Sequence, residues 1–245
     1  MAEQTHYSHA PITEAVIDLR VELDPEATME QLMAVRNGLE AEYPIVRKQL
    51  LAKGQFSVGG MVASSAQQYQ SGHVFTSADE RYIWQVRIDG FTLSRLAPYD
   101  NWQSFSSEAR KLWERYRNTV NLKVISRLAV RYINRLDLPL PLLDLSQYFR
   151  TYPEVSKDVP QQLAGFFMQL SIPVEDIRSR MNVTQTTIPS DRSDAIPVVL
   201  DIDVFRTQEV PQSEMELWRF FDDLRACKIK VFEASITDRT RELIA

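Results

Sequence analysis

The sequence predicts an α+β fold of mainly antiparallel sheet, in two similar strand-rich halves, each backed by an amphipathic, aromatic-lined helix. Three observations predict it. Period-two alternation marks Ala15–Glu22, Arg81–Leu96 and Val124–Leu136, and three more strand-like runs follow at 165–172, 176–188 and 196–205. Few of these runs are separated by the crossover helix that parallel strands need. Two stretches, one from Trp102 to Tyr116 and one opening at Ser213, instead show helical spacing of aromatic residues.

Composition bounds the rest. The chain has 245 residues, of which 44% are hydrophobic and 25% charged, enough apolar material for a sizeable core. No apolar run approaches the roughly 18 residues of a membrane span, and no membrane partner is expected. The polar stretch Met1–His9 lacks the apolar segment of a secretory signal, and residues 1–10 read as a flexible lead-in. A single cysteine, Cys227, excludes an intramolecular disulfide and a cysteine-only metal cage, so a cytoplasmic location is expected. The net charge of −5 argues against a nucleic-acid surface spread over the whole molecule. Seven glycines and no Walker-type loop leave no cofactor to expect.

In chain order, Ala15–Glu22 is a half-buried strand with Ala15, Ile17, Leu19 and Val21 inward. Asp24-Pro25 and Thr28–Gln31 each offer a helix start, the second with a capping-box pattern. The helix should bury Met29, Leu32 and Leu39 and stop at Pro44. A strand is expected near Gln55–Val62 and a polar loop over Ser64–Ser77, with a short strand around His73–Phe75 as an option.

Asp89-Gly90 then predicts a type I′ hairpin with Ile88 facing Phe91, Val86 facing Leu93 and the Arg95 guanidinium over Trp84. Asp100 or Asn101 should cap a helix that lays Trp102, Phe105, Ala109, Leu112, Trp113 and Tyr116 on the hairpin.

After Asn121 a long strand alternates. Leu138-Pro-Leu-Pro141 cannot continue a central strand, so it marks an edge or link. The segments are therefore an N-terminal α+β half over 1–137, a link over 138–160 and a C-terminal α+β half over 161–245, forming one compact unit. Leu143–Phe149 reads as a short helix. Ser213–Glu216 is a capping box for a helix that turns Trp218, Phe221 and Leu224 inward, and the sequence leaves open whether it passes Cys227. Thr237-Asp238 can cap a terminal turn.

Three arginines, Arg127, Arg131 and Arg135, fall on one face of the long strand, with Arg81 and Arg87 nearby in sequence pattern. Guanidinium forks match phosphate geometry, so this face is a candidate anion site. The leading reading is a row of cross-strand ion pairs with Asp18, Glu22, Asp201 and Asp203. Successive arginines lie about 13 Å apart at some 3.3 Å per residue, too far to grip one phosphate together. A further variant closes the strands into a triphosphate tunnel with Asp201 and Asp203 reaching a metal, though the paired-glutamate-and-lysine strand typical of such enzymes is missing. His6, His9 and His73 are not spaced as ligands with Cys227, and no catalytic constellation stands out.

Pro11–Val16, Phe91–Leu96 with Pro98-Tyr99 and Trp102, Arg131–Leu136, Asp201–Asp203 and Phe232–Asp238 together resemble a sporadically distributed, uncharacterised family of bacterial and archaeal proteins. The resemblance implies no catalytic residues. It implies a setting in mobile or defence-related loci, where such patchily distributed families often lie.

The functional expectation is a non-enzymatic interaction protein or accessory subunit, with a protein partner or a homo-oligomer. The alternatives are a phosphate-ligand or nucleic-acid binder using Arg87, Arg127, Arg131 and Arg135, and a metal-dependent tunnel phosphohydrolase using Asp201 and Asp203.

Overall fold

The computed structural model describes residues 7–55, 65–141, 144–161 and 163–245. Among these, nine strands make one antiparallel sheet: β1 (Ile12–Leu23), β2 (Ile45–Gln55), β3 (Ser65–Thr76), β4 (Tyr82–Arg87), β5 (Gly90–Leu96), β6 (Leu122–Pro139), β7 (Phe167–Val174), β8 (Ser179–Thr187) and β9 (Ala195–Arg206). The α-helices are α1 (Met29–Ala34), α2 (Trp102–Thr119), α3 (Glu214–Ser235) and α4 (Asp238–Ile244). The strand order is β2-β3-β4-β5-β1-β6-β9-β8-β7. The fold is thus the expected α+β class, with a single sheet serving both halves of the chain. It divides into two compact units, one of Met1–Val16, Leu96–Asp100 and Leu128–Ala245, the other of Ile17–Arg95 and Asn101–Arg127.

In the second of these units, α2 forms where the aromatic spacing predicts it. Asn101 Oδ1 accepts from the Ser104 N–H, and all six expected stripe residues are buried. Phe91 meets the Trp113 and Tyr116 rings at 5.7 and 6.0 Å between centroids, so the helix packs on the β4–β5 hairpin.

The hairpin loop lies one residue earlier than expected, so each β4 residue faces a partner two residues before the expected one. Arg87 pairs with Gly90, Val86 with Phe91 and Trp84 with Leu93, so the loop is Ile88-Asp89. Gly38 is the glycine with a positive φ among the described residues, so Gly90 is not there for a type I′ turn. It is there for close approach: a Cβ on Gly90 would sit 2.4 Å from the Leu19 carbonyl oxygen on the adjacent β1. The shift sends Ile88 to the surface, and Arg95 stacks at 4.8 Å over Tyr82 instead of Trp84.

Two further expectations need correcting here. α1 has six residues, opened by the Thr28–Gln31 capping box, and turns rather than helix carry Leu39 and Tyr43 into the core. The segment expected to be a polar loop is β3, whose backbone is ordered by β2 on one side and β4 on the other. The strand expected over Gln55–Val62 falls, beyond Gln55, outside the described residues.

In the other unit, β6 runs on to Pro139, paired with Ala195, where a link was expected. The Arg135 N–H donates to the Pro11 carbonyl just before β1 begins. Past Arg135 the strand therefore has only β9 beside it, and a proline is tolerated there. Tyr7 and His9, expected in a flexible lead-in, are anchored: Tyr7 Oη donates to Glu233, and the His9 N–H to the Ile244 carbonyl. The Ser213 cap accepts from the Glu216 N–H, and α3 continues unbroken past Cys227 to Ser235. It covers the apolar face made by Val198, Leu200, Ile202 and Val204 of β9, all fully buried. Thr237 caps α4.

Candidate functional site

The arginines of β6 do not converge on a common cavity. Each has a carboxylate instead. Arg127 reaches Asp18 at 2.7 Å, Arg131 makes three bonds to Asp201, and Arg135 contacts Asp137 at 2.9 Å. Asp203 lies directly opposite Arg131 in register, while Asp201 takes the diagonal. Hydrogen bonding to Asp201 holds the Arg131 guanidinium above its ordinary pKa. This is the arrangement that the ion-pair reading expects.

Arg87 and Arg127 do come together, around Asp18. Asp18 lies within 3.5 Å of guanidinium nitrogens of Arg20, Arg87 and Arg127, and accepts at 2.7 Å from Thr92 Oγ1. Asp89 takes a second bond from both Arg20 and Arg87. Arg87 is buried, and its donors are spent on Asp89, Gln85, Thr92 and Asp18. Three guanidiniums thus meet at Asp18.

An open backbone edge lies on β7, which ends the sheet order with β8 as its neighbour. The Phe166 carbonyl accepts from the Thr187 N–H, which fixes the orientation. Main-chain groups of Met168, Leu170 and Ile172 point to β8, and those of Phe167, Gln169, Ser171 and Pro173 point away from it. Pro173 has no N–H to offer on that open side, the position at which an edge strand accepts proline. Phe167 is 69% exposed and Leu170 36%. The sequence of β7, Phe-Met-Gln-Leu-Ser-Ile-Pro-Val, contains no charge.

Where β7 ends, a cleft of about 640 Å³ opens between the β7–β8 turn and the segment after β9. Its charged lining is Glu175, Arg178, Arg180, Arg206 and Glu209. Arg178 and Glu209, which pair with each other, have φ of 47° and 48°, in the left-handed region that non-glycine residues rarely occupy.

One further group lay outside the sequence reading. Lys228 is buried on α3, its Nζ 3.7 Å from the centre of the Tyr132 ring, and Tyr132 in turn hydrogen-bonds Tyr99 at 2.9 Å. Burial first, then the positive charge of Arg225, brings the Lys228 amine down to about 7, while Glu233 opposes the shift. Its place four residues after Leu224 and four before Phe232, both buried, is a signal that the helical period carried. No comparable signal marked the cleft, because its arginines come from two segments distant in sequence, Arg178 with Arg180 and Arg206.

Among the described residues, no three His, Cys, Asp or Glu side chains gather as a metal site, and no pairing joins β2 to β7 as a closed tunnel would need. Burial pushes the Cys227 thiol up, away from nucleophilic character. No described helix is long and apolar enough to cross a membrane. Compared with known proteins, the chain matches no family model and no curated sequence.

Proposed function

We propose that this protein is a non-enzymatic interaction protein that takes an extended segment of a protein partner onto the free edge of β7. The observation that carries the reading is the uncharged, partly exposed strand β7 with main-chain groups of Phe167, Gln169 and Ser171 turned outward. Strand addition supplies affinity through such main-chain bonds and specificity through alternate side chains. The other end of the sheet order contrasts with it: β2 carries Arg47 and Lys48, charges of the kind by which edge strands discourage pairing.

The test uses Ser171→Pro, which removes an N–H on the open side and leaves the bonds to β8 intact. The resemblance to a sporadically distributed prokaryotic family makes the product of a neighbouring gene the first partner to try. A partner that co-purifies with the natural chain and is lost from Ser171→Pro, with thermal stability unchanged, supports strand addition. Retention of the same partner by both proteins rejects it.

A second reading, binding of a phosphate-bearing ligand, is favoured by the convergence of the Arg20, Arg87 and Arg127 guanidiniums on Asp18. It requires single-stranded DNA or polyphosphate to bind with a steep salt dependence and to weaken on Arg127→Gln. Binding that ignores both salt and the substitution removes this reading.

A further inference from the structure

Arg180 and Pro173 are register partners, so Arg180 lies on the same face of the sheet as Ser171 and Pro173. Its guanidinium donates to Ser171 Oγ at 3.3 Å, which carries the charge across β7 toward the open edge. No carboxylate among the described residues lies within salt-bridge distance of it. Elsewhere on the cleft lining the chain's own Glu209 is held between Arg178 and Arg206, with Glu175 beside them in the lining. Arg206 is fixed by a bond to the Gln208 carbonyl and by the Phe220 ring at 4.9 Å. A carboxylate is therefore a group this cleft already accommodates, and Arg180 is the cation left to take another.

We infer that the cleft selects partner segments carrying Asp or Glu where the added strand leaves β7, with Arg180 as the residue that pairs with the acid. The inference rests on strand addition at β7. An incoming chain finds outward N–H groups as far as Ser171 and none at Pro173, so its ladder ends at the mouth of the cleft. An acidic side chain there forms a charge-assisted bond with Arg180, partly shielded from water by the cleft wall. A second copy of this chain is a poor occupant. Antiparallel self-pairing would bring the residues before Phe167, Leu163-Ala-Gly-Phe166, to Arg180, and they carry no carboxylate.

The experiment selects a phage-displayed random dodecapeptide library against the natural chain, Ser171→Pro, Arg180→Gln and Arg180→Glu, each first checked for an unchanged melting curve. Arg180 is exposed, so its variants should fold. Peptides from the natural chain should be enriched in Asp or Glu and should bind Arg180→Gln about tenfold more weakly. Arg180→Glu should enrich Lys or Arg in their place, and Ser171→Pro should yield no binders. If peptides emerge from Ser171→Pro as readily as from the natural chain, or from neither, strand addition itself fails. If Ser171→Pro abolishes binding but acid enrichment is absent, or survives Arg180→Gln, the edge stands and the cleft inference falls. Dimerisation lost in Ser171→Pro makes a second copy the occupant and also overturns the inference.

Discussion

Two aspartates of the sheet, Asp18 and Asp201, hold arginines in settings that differ in solvent access, and the difference sets their worth. Asp201 is half-buried, but its partner Arg131 keeps 47% of its side chain exposed, so water competes for the pair. Such pairs contribute about 0–1 kcal/mol, and the three-bond geometry favours the upper end. A double-mutant cycle that exchanges Arg131 and Asp201 should therefore recover much of a small loss. Asp18 is different: Arg87, one of its partners, is 6% exposed at the side chain. Removing Asp18 leaves a buried guanidinium with the exposed Asp89 as its other carboxylate among the described residues, and we expect Asp18→Ala to cost roughly 3–5 kcal/mol. Urea unfolding of Asp18→Ala and Asp201→Ala side by side checks the contrast, and equal losses would refute it.

Lys228 shows the opposite balance, a buried charge set over the rings of Tyr132 and Phe232. Its folded pKa of about 7 lies below the ordinary 10.5, so the unfolded chain binds the proton more tightly. The resulting penalty is fully present below pH 7 and is relieved as pH rises from 7 toward 10.5. Its ceiling is about 5 kcal/mol by linkage, and the Tyr132 ring face offsets part of it. Lys228→Met should accordingly be more stable than the natural chain at pH 6, with the gap narrowing by pH 9. A gap that does not change with pH would show that the amine does not titrate differently on folding.

Among elements, α2 was the most legible because its whole signal is local. The stripe from Trp102 to Tyr116 and the Asn101 cap are fixed by positions within one helix, and all six stripe residues are buried as the spacing requires. Trp113 is fully buried beside Phe91 and Tyr116, so Trp113→Ala should cost roughly 3–5 kcal/mol in chemical denaturation. A loss below about 1 kcal/mol would place the ring outside the core. The hairpin was less legible because Asp89-Gly90 has two physical uses that look identical in sequence. The turn reading invoked φ freedom, whereas the fold uses the missing Cβ to admit the Leu19 carbonyl. β3 was missed because Gln67, Gln68, Gln70 and Ser71 carry little alternation, and its order comes from two neighbouring strands instead. The arginine–carboxylate pairs were foreseeable from facing polar positions; the grouping of Arg20, Arg87 and Arg127 on one aspartate depended on strand order, which no local pattern encodes.

At the scale of the whole sheet, the outer strands decide how the molecule meets others. Strand order made β7 an end, and only then did its lack of charge become a functional observation. The open edge has a signature that can be read residue by residue in the isolated chain. Main-chain N–H groups of Met168, Leu170 and Ile172 face β8 and should be protected from exchange with solvent, while those of Phe167, Gln169 and Ser171 face outward. Amide hydrogen exchange followed by NMR should therefore alternate along β7, fast at the odd positions and slow at the even ones. Adding a bound partner segment should slow Phe167, Gln169 and Ser171 and leave Met168, Leu170 and Ile172 unchanged, because only the outward donors gain acceptors. Ser171→Pro should keep the even positions slow, which separates loss of docking from loss of the strand. Uniform protection along β7 in the isolated chain would mean that the edge is already covered, and the docking strand would have to be sought elsewhere.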